Sequence, residues 1–260
     1  MTPMTADLFG VPVAAMTMKG ALGLIEQAVR SKRRLQIGVV NAAKIVNMQR
    51  NDELRADVLS SDIVFADGMA VVWASRLLGR PLPERVAGID LMMGMLEQGK
   101  AGGYRVYCLG AAPDVLARVV DRIRREYAGV TVVGSHHGYF NNAEEAAVVK
   151  DIAETQPDIL FIAMTSPKKE RFLSKWSRQL DVPVCHGVGG SFDVVAGYVQ
   201  RAPESWQRLG LEWLYRVKQE PGRLWKRYLT TNSAFAVMVV SALFKQQLSR
   251  IRSTARVART

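Results

Sequence analysis

Residues 60–79 read SSDIVFADGMAVVWASRLLG. The run Asp62–Ala66 is too short for a helix and apolar enough for a strand covered on both faces. Asp67-Gly68 interrupts it with a turn pair, and apolar residues then recur with helical period over Gly68–Leu78. A strand, a polar turn and a helix within twenty residues is half of a β-α-β unit.

The same alternation extends in both directions. Strand-length apolar runs occur at Leu35–Val40, Tyr104–Leu109, Val130–Val133, Ile159–Ala163 and Val182–Cys185. Helix-period segments separate them: Ala43–Leu59, Gly88–Gln98, Pro113–Tyr127, Ala143–Thr155 and Pro167–Leu180. Val11–Met16 and Lys19–Arg30 add an earlier strand and helix. This pattern predicts an α/β fold, a Rossmann-like parallel sheet with helices on both faces. After Arg201 the strand signals stop. Residues 203–250 read as helices alone, with breaks at Glu220-Pro221-Gly222 and Thr231-Asn232-Ser233. The chain therefore divides into a core, 1–199, and a helical appendage, 200–260.

Charge follows the same division. The 260 residues carry a net charge of +11. Residues 200–260 hold 12 Lys and Arg against 3 Asp and Glu, and so nearly all of the excess. Trp206, Trp213, Tyr215, Trp225 and Tyr228 lie among these charges, followed by the apolar run Ala234–Phe244 and by Lys245, Arg250, Arg252, Arg256 and Arg259. Basic residues beside Trp, Tyr and a short apolar helix describe an interfacial helix on an anionic membrane surface. The segment also reads as a helix packed on the core with a solvated basic face. Nucleic acid is not the expected partner, because no helix-turn-helix, zinc or other nucleic-acid signature occurs.

Composition excludes other classes. At 48% hydrophobic and 23% charged residues, the chain is neither disordered nor a polytopic membrane protein. Cys108 and Cys185 sit in apolar runs and read as buried free thiols of a reducing compartment. The start, MTPMTADLFG, lacks the pattern of a secretory signal. The longest apolar stretch, Ala234–Phe244, has 11 residues, short of the ~18–20 a spanning helix needs. A cytoplasmic protein is expected.

In open α/β sheets, ligands bind beyond the carboxyl ends of the strands. Asn41, Asp67-Gly68, Gly110, Thr165-Ser166-Pro167 and Gly187–Ser191 each follow a strand. The Gly110–Pro113 turn presents backbone N–H groups at a helix start, which suits phosphate but equally suits a plain strand-to-helix turn. HGVGGSFD (186–193) is the stronger signal, since its glycines allow close backbone approach to a ligand. Asp67, at the lip of a strand, reads equally as a general base and as the N-cap of the helix after it. Asp193 and Asp90 read as caps or as partners of Arg85. There is no Asp-x-Asp for a divalent ion, and His136, His137 and His186 have no ligand-spaced companions, so no metal site and no cofactor are expected. G-x-S-x-G and G-x-x-x-x-G-K-[ST] are absent, which argues against acyl-transfer and P-loop chemistry.

Five stretches carry a resemblance: VFADGMAVVWASRLLG with PLPERVAGIDL (64–91), YRVYCLGAAP (104–113), SPKKERF (166–172), GVGGSFDVVAG (187–197) and RAPESWQRLGLEWLYRVKQEPGRLWKRYL (201–229). In sequence and order they resemble the WecG/TagA/CpsF glycosyltransferases, glycosyltransferase family 26, over roughly residues 9–230. The resemblance implies a Rossmann-like core with a membrane-facing helical appendage. It also implies inverting, metal-independent transfer of a hexose or N-acetylhexosamine, of mannosamine type or glucose. The donor would be a UDP-sugar and the acceptor a polyprenyl-diphosphate-linked saccharide. The setting would be cell-envelope polysaccharide synthesis (exopolysaccharide, capsule or teichoic acid) at the inner face of the cell membrane. Donor, acceptor saccharide and any homo-oligomer are left open.

By the resemblance Asp67 is the base, Asn41 and Arg85 contact or support the substrate, and Arg216 and Arg223 engage the diphosphate. Gly110, Gly189 and Gly190 belong to the nucleotide turns. Three positions depart from the family pattern. Val39 replaces a Thr, Lys169 replaces a Gln that would touch substrate, and Lys226 stands where an Arg is common, with Arg227 beside it as a substitute. Two rival readings remain: a nucleotide-binding oxidoreductase, which lacks its G-x-G-x-x-G, and a non-catalytic membrane scaffold of the same fold.

Overall fold

The computed structural model describes residues 3–257. The side chains of Arg223 and of residues 249–257, Arg250, Arg252 and Arg256 among them, lie outside the described residues, as does Arg259. The chain opens with a hairpin of β1 (Thr5–Leu8) and β2 (Val11–Ala14). It continues through α1 (Met18–Ser31), β3 (Leu35–Val40), α2 (Ala42–Met48), α3 (Asp52–Leu59), β4 (Ile63–Ala66), α4 (Met69–Leu77) and α5 (Gly88–Gly102). A second half runs β5 (Arg105–Gly110), α6 (Pro113–Glu126), β6 (Thr131–His136), α7 (Glu145–Thr155), β7 (Ile159–Ala163), α8 (Lys168–Trp176), β8 (Val184–Gly187) and α9 (Ser191–Val195). Helices follow: α10 (Glu204–Arg208), α11 (Glu212–Gln219) and α12 (Pro221–Val257).

The eight strands form one sheet in the order β1-β2-β4-β3-β8-β7-β5-β6. Among the described residues only the β1–β2 pair is antiparallel. Successive side chains of β4 serve opposite faces, as the strand period requires. Ile63 and Phe65 pack with α1, α5, α6 and α9, while Val64 and Ala66 pack with α2, α3 and α4. A third cluster joins β5 and β7 to α7 and α8. After β3 the chain enters α2 on one face, and after β8 it enters α9 on the other. Neighbouring strand ends that send their helices to opposite faces leave a crevice between them at the carboxyl edge.

The helices carry their own reasons. Helix α6 starts with Pro113 at its first position and buries Val115, Leu116, Val119, Val120 and Ile123, at the three-and-four spacing of one face. Asn51 caps α3 by accepting from the Leu54 N–H at 2.8 Å, so the predicted helix 43–59 is two helices. The predicted break at Thr231–Ser233 is absent, because α12 is continuous from Pro221 to Val257. The Thr230 and Thr231 hydroxyls bond back to the Lys226 and Arg227 carbonyls, at 2.8 and 2.7 Å, and so do not compete with the helix.

Helix α12 packs on the core. Phe235 and Val239 are buried in the cluster that holds α2, and Phe235 stands edge-on to Phe9 at 5.7 Å. The turn between α10 and α11 lies on α4, where a side chain on Gly210 would come within 2.5 Å of Trp73. Among the described residues no helix is long and apolar enough to cross a membrane.

Candidate active site

The carboxyl edge of the sheet orders the predicted site residues. Register pairs Val40 with Ala66, so Asn41 after β3 and Asp67 after β4 emerge side by side. The Asn41 side chain accepts from the Lys44 N–H at 2.9 Å and caps α2. Asp67 does not cap the helix that follows it. Gly68 holds that position without a side-chain bond, while Asp67 Oδ1 accepts from the N–H of Gly88, the first residue of α5, at 2.9 Å. Helix α5 has no side-chain cap of its own at Ala87, so a carboxylate from another strand satisfies one of its free N–H groups.

Asp67 keeps some solvent contact at the edge while protein surrounds its carboxyl. Burial pushes its pKa above the ordinary 3.8. The Gly88 N–H opposes this, Glu212 adds to it, and Lys44 and Arg85 oppose it. A carboxylate raised in this way can serve as a general base where a substrate hydroxyl reaches it.

The appendage closes on this point. Arg85 Nη1 donates to Glu212 at 2.7 Å, and Nη2 lies 3.3 Å from Asp90 and 3.4 Å from Gln207. Arg201 reaches the other oxygen of Asp90 at 2.5 Å. Arg85 thus pins α10 and α11 to the start of α5. Arg216 of α11 stands over the glycine loop, with Nη1 3.9 Å from where a side chain on Gly190 would begin. Tyr228 of α12 is half-buried in the same neighbourhood. Burial raises its pKa, Arg216 and Arg227 lower it, and Asp67 and Glu212 raise it. Arg227 itself is exposed, and the Arg223 side chain lies outside the described residues.

Lys169 is buried. Its stem lies along Gly187, and its ammonium pairs with Glu170. Glu170 also takes Lys44 at 2.8 Å, and Lys44 donates to the Val39 carbonyl at 2.8 Å. Burial works to raise Glu170, but Lys44 and Lys169 outweigh it and hold the carboxyl below its ordinary range. Burial and Lys44 push the Lys169 ammonium down.

The glycine turns differ from one another. Gly110 has φ +117°, and a side chain there would meet the Ala163 carbonyl oxygen at 2.5 Å, so only glycine fits. Ala111 N–H donates to that same oxygen at 2.8 Å, and the Gly138 N–H donates to the Ala111 carbonyl at 3.0 Å. Gly189, at φ +53°, faces open space. Asp67, Asn41, Arg85, Gly189, Gly190 and Arg216 therefore gather around the ends of β4, β3 and β8. Gly110 lies four strands from β4, or ~19 Å at the usual strand spacing.

Lys44, Glu170, Glu212, Tyr228 and His186 were not among the predicted site residues. Lys44 and Tyr228 had a signal, since one lies three positions after Asn41 and the other in the WKRYL stretch. Among the described residues no three His, Cys, Asp or Glu gather to hold a metal ion.

Comparison with known proteins adds to this geometry. The chain matches the family described as Glycosyl transferase WecG/TagA/CpsF family over residues 6–249. It is 38% identical over 181 residues to the N-acetylglucosaminyldiphosphoundecaprenol N-acetyl-beta-D-mannosaminyltransferase of Bacillus spizizenii, an alignment covering 70% of this chain and 69% of that protein.

Proposed function

The chain belongs to the WecG/TagA/CpsF family of glycosyltransferases, and from that premise we propose that it transfers a hexose or N-acetylhexosamine from a UDP-sugar to a polyprenyl-diphosphate-linked saccharide, with inversion and without a metal. Membership makes it a glycosyltransferase rather than an oxidoreductase. The name of the Bacillus relative favours an N-acetylmannosamine donor and an N-acetylglucosaminyl-diphospholipid acceptor.

The observation that carries this reading is Asp67, a carboxyl at the sheet edge whose proton affinity is raised by burial, with Glu212 of the appendage and the core cations Lys44 and Arg85 acting on it. The acceptor hydroxyl attacks the anomeric carbon from the side opposite the nucleotide. Asp67 takes the hydroxyl proton as the new C–O bond forms. The bond to the UDP oxygen breaks, and UDP leaves with the electron pair. Arg216, poised over Gly190, and Arg227 meet the developing charge on the diphosphate. The nucleoside end lies toward Gly110, where only backbone is offered.

Helix α12 supports a membrane setting. Trp225, Leu229, Val237, Val240, Phe244 and Leu248 are exposed, and at 100° per residue they fall within an arc of about 140°. Lys226 lies within that arc, and Arg227 and Lys245 lie about 60° beyond its edge. An apolar strip edged with cations suits an anionic bilayer surface at the face where the lipid-linked acceptor is held. Phe244→Glu with Leu248→Glu is expected to reduce co-sedimentation with anionic vesicles, and unchanged binding would remove this strip as the contact.

The deciding experiment screens UDP-sugars against a polyprenyl-diphosphate-sugar analogue by mass spectrometry, with and without chelator. Expected is one preferred donor, acceptor-dependent UDP release and the β-linked product of an α-linked donor. Failure of every UDP-sugar to transfer would overturn the reading.

A further inference from the structure

We propose that His186 is a positioning residue for Asp67, acting through Gly88. His186 lies in β8, wholly buried, with Nε2 2.9 Å from the Gly88 carbonyl oxygen. A carbonyl only accepts, so Nε2 carries the hydrogen. The N–H of the same glycine donates to Asp67 Oδ1 at 2.9 Å. Gly88 is thus held at its carbonyl by His186 and holds the carboxylate with its amide.

Glycine is the residue least able to hold its own backbone angles. Here the His186 ring does so from outside. A side chain built on Gly88 would lie 3.6 Å from both Cε1 and Nε2, so the ring packs on the flank of Gly88 that any other residue would cover. The other ring nitrogen, Nδ1, is buried with no hydrogen-bond partner among the described residues. Leaving a buried polar atom unpaired is costly, and nothing at Nδ1 offsets it, so the contribution of the ring lies at Nε2. The charged groups that act on the ring are Lys169 of α8 and Lys44 of α2, both cations. Burial first, and these two lysines with it, push the imidazole down to about 4, against the Gly88 bond. The neutral, Nε2-protonated ring therefore persists across the working range of pH.

The catalytic consequence rests on Asp67 being the base, but the geometric claim does not. The test uses the full chain as wild type, His186→Gln, His186→Leu, His186→Asn and Asp67→Asn. Gln places an amide nitrogen where Nε2 was, whereas Asn reaches only as far as Nδ1. Aspartate labelled with carbon-13 at the carboxyl is titrated by NMR, with Asp67→Asn identifying the resonance. Since the Gly88 N–H holds the Asp67 pKa down, its loosening in His186→Leu is expected to raise that pKa. The acid limb of kcat should then move to higher pH, with kcat falling about tenfold at unchanged donor KM. His186→Gln is expected to restore both properties, and His186→Asn is not. If His186→Leu does not fold, His186→Asn takes its place. Identical Asp67 titration in wild type and the folded Leu or Asn variant overturns the proposal, as does a His186→Gln variant as impaired as they are. Full turnover in Asp67→Asn, with the pKa shift still present in His186→Leu, removes the base assignment and leaves the positioning intact.

Discussion

The two halves of the carboxyl edge are held together differently. Around β4, β3 and β8 the side chains of Asp67, Asn41, Lys44 and Arg216 stand beside the Gly189-Gly190 turn, and Glu170 reaches in from α8. Around β7, β5 and β6 the loops are knitted through backbone groups of Gly110, Ala111 and Gly138, with the Lys168 ammonium on the Gly138 and Phe140 carbonyls at 3.0 and 3.1 Å. The first half can fix a proton and charges, and its side chains differ in what their loss removes. The second can lie close to a flat or extended ligand but tolerates no gain of a side chain.

This contrast yields graded predictions. The largest effect is expected at Asp67. Asp67→Ala should fold and lose turnover by roughly 10²–10⁴. Wild-type kcat should fall as pH drops through the raised Asp67 pKa, which lies above 3.8. Stability should move the other way. With its folded pKa above the unfolded value, Asp67 holds its proton more tightly in the fold, and stability falls as pH rises between the two values. Asp67→Asn should therefore melt higher than wild type at neutral pH by calorimetry, and a lower melting point would contradict the burial described for Asp67.

Glu170→Gln comes next, since it leaves Lys44 and Lys169 facing each other inside the protein. Breaking such a buried pair costs ~3–5 kcal/mol, read from denaturant unfolding. Because the folded Glu170 pKa is depressed, its stabilisation is complete above the unfolded value and is lost as pH falls through the folded one. The variant should show a flatter stability curve at acid pH.

On the backbone half the test is an addition. Gly110→Ala is expected to cost about 2–3 kcal/mol, from a left-handed backbone and a collision with the Ala163 carbonyl. Its donor KM should rise while the Asp67 titration stays unchanged. The smallest effect is expected for Arg216→Ala. In the proposed role it would lose one charge-assisted contact to the leaving diphosphate, lowering kcat/KM about tenfold without a change in melting temperature. If Gly110→Ala altered the Asp67 pKa, or Arg216→Ala destabilised the fold, the division between the halves would fail.

Much of this was legible in the chain because strand ends are local. Leu35–Val40 and Ile159–Ala163 occur as predicted, and Asn41 and Asp67 follow their strands directly. The strand predicted at Val182–Cys185 lies two residues later, at Val184–Gly187. The edge strand Thr5–Leu8 was not predicted; its TADL offers only two buried positions, Ala6 and Leu8. What the sequence hid is long-range. Lys44 meets Glu170 across 126 positions and His186 meets Gly88 across 98, and no local pattern announces such a pairing. The fate of Lys169 was hidden for the same reason, since its partner is adjacent but its burial depends on β8.

Helix α12 makes one more thing follow. Tyr228, whose hydroxyl feels the Asp67 charge, and Phe244, on the outward strip, belong to the same unbroken rod and lie ~24 Å apart along it at 1.5 Å per residue. Between those two points Phe235 and Val239 are buried against the core, so the rod is clamped midway and holds its outward strip and Tyr228 at a fixed separation.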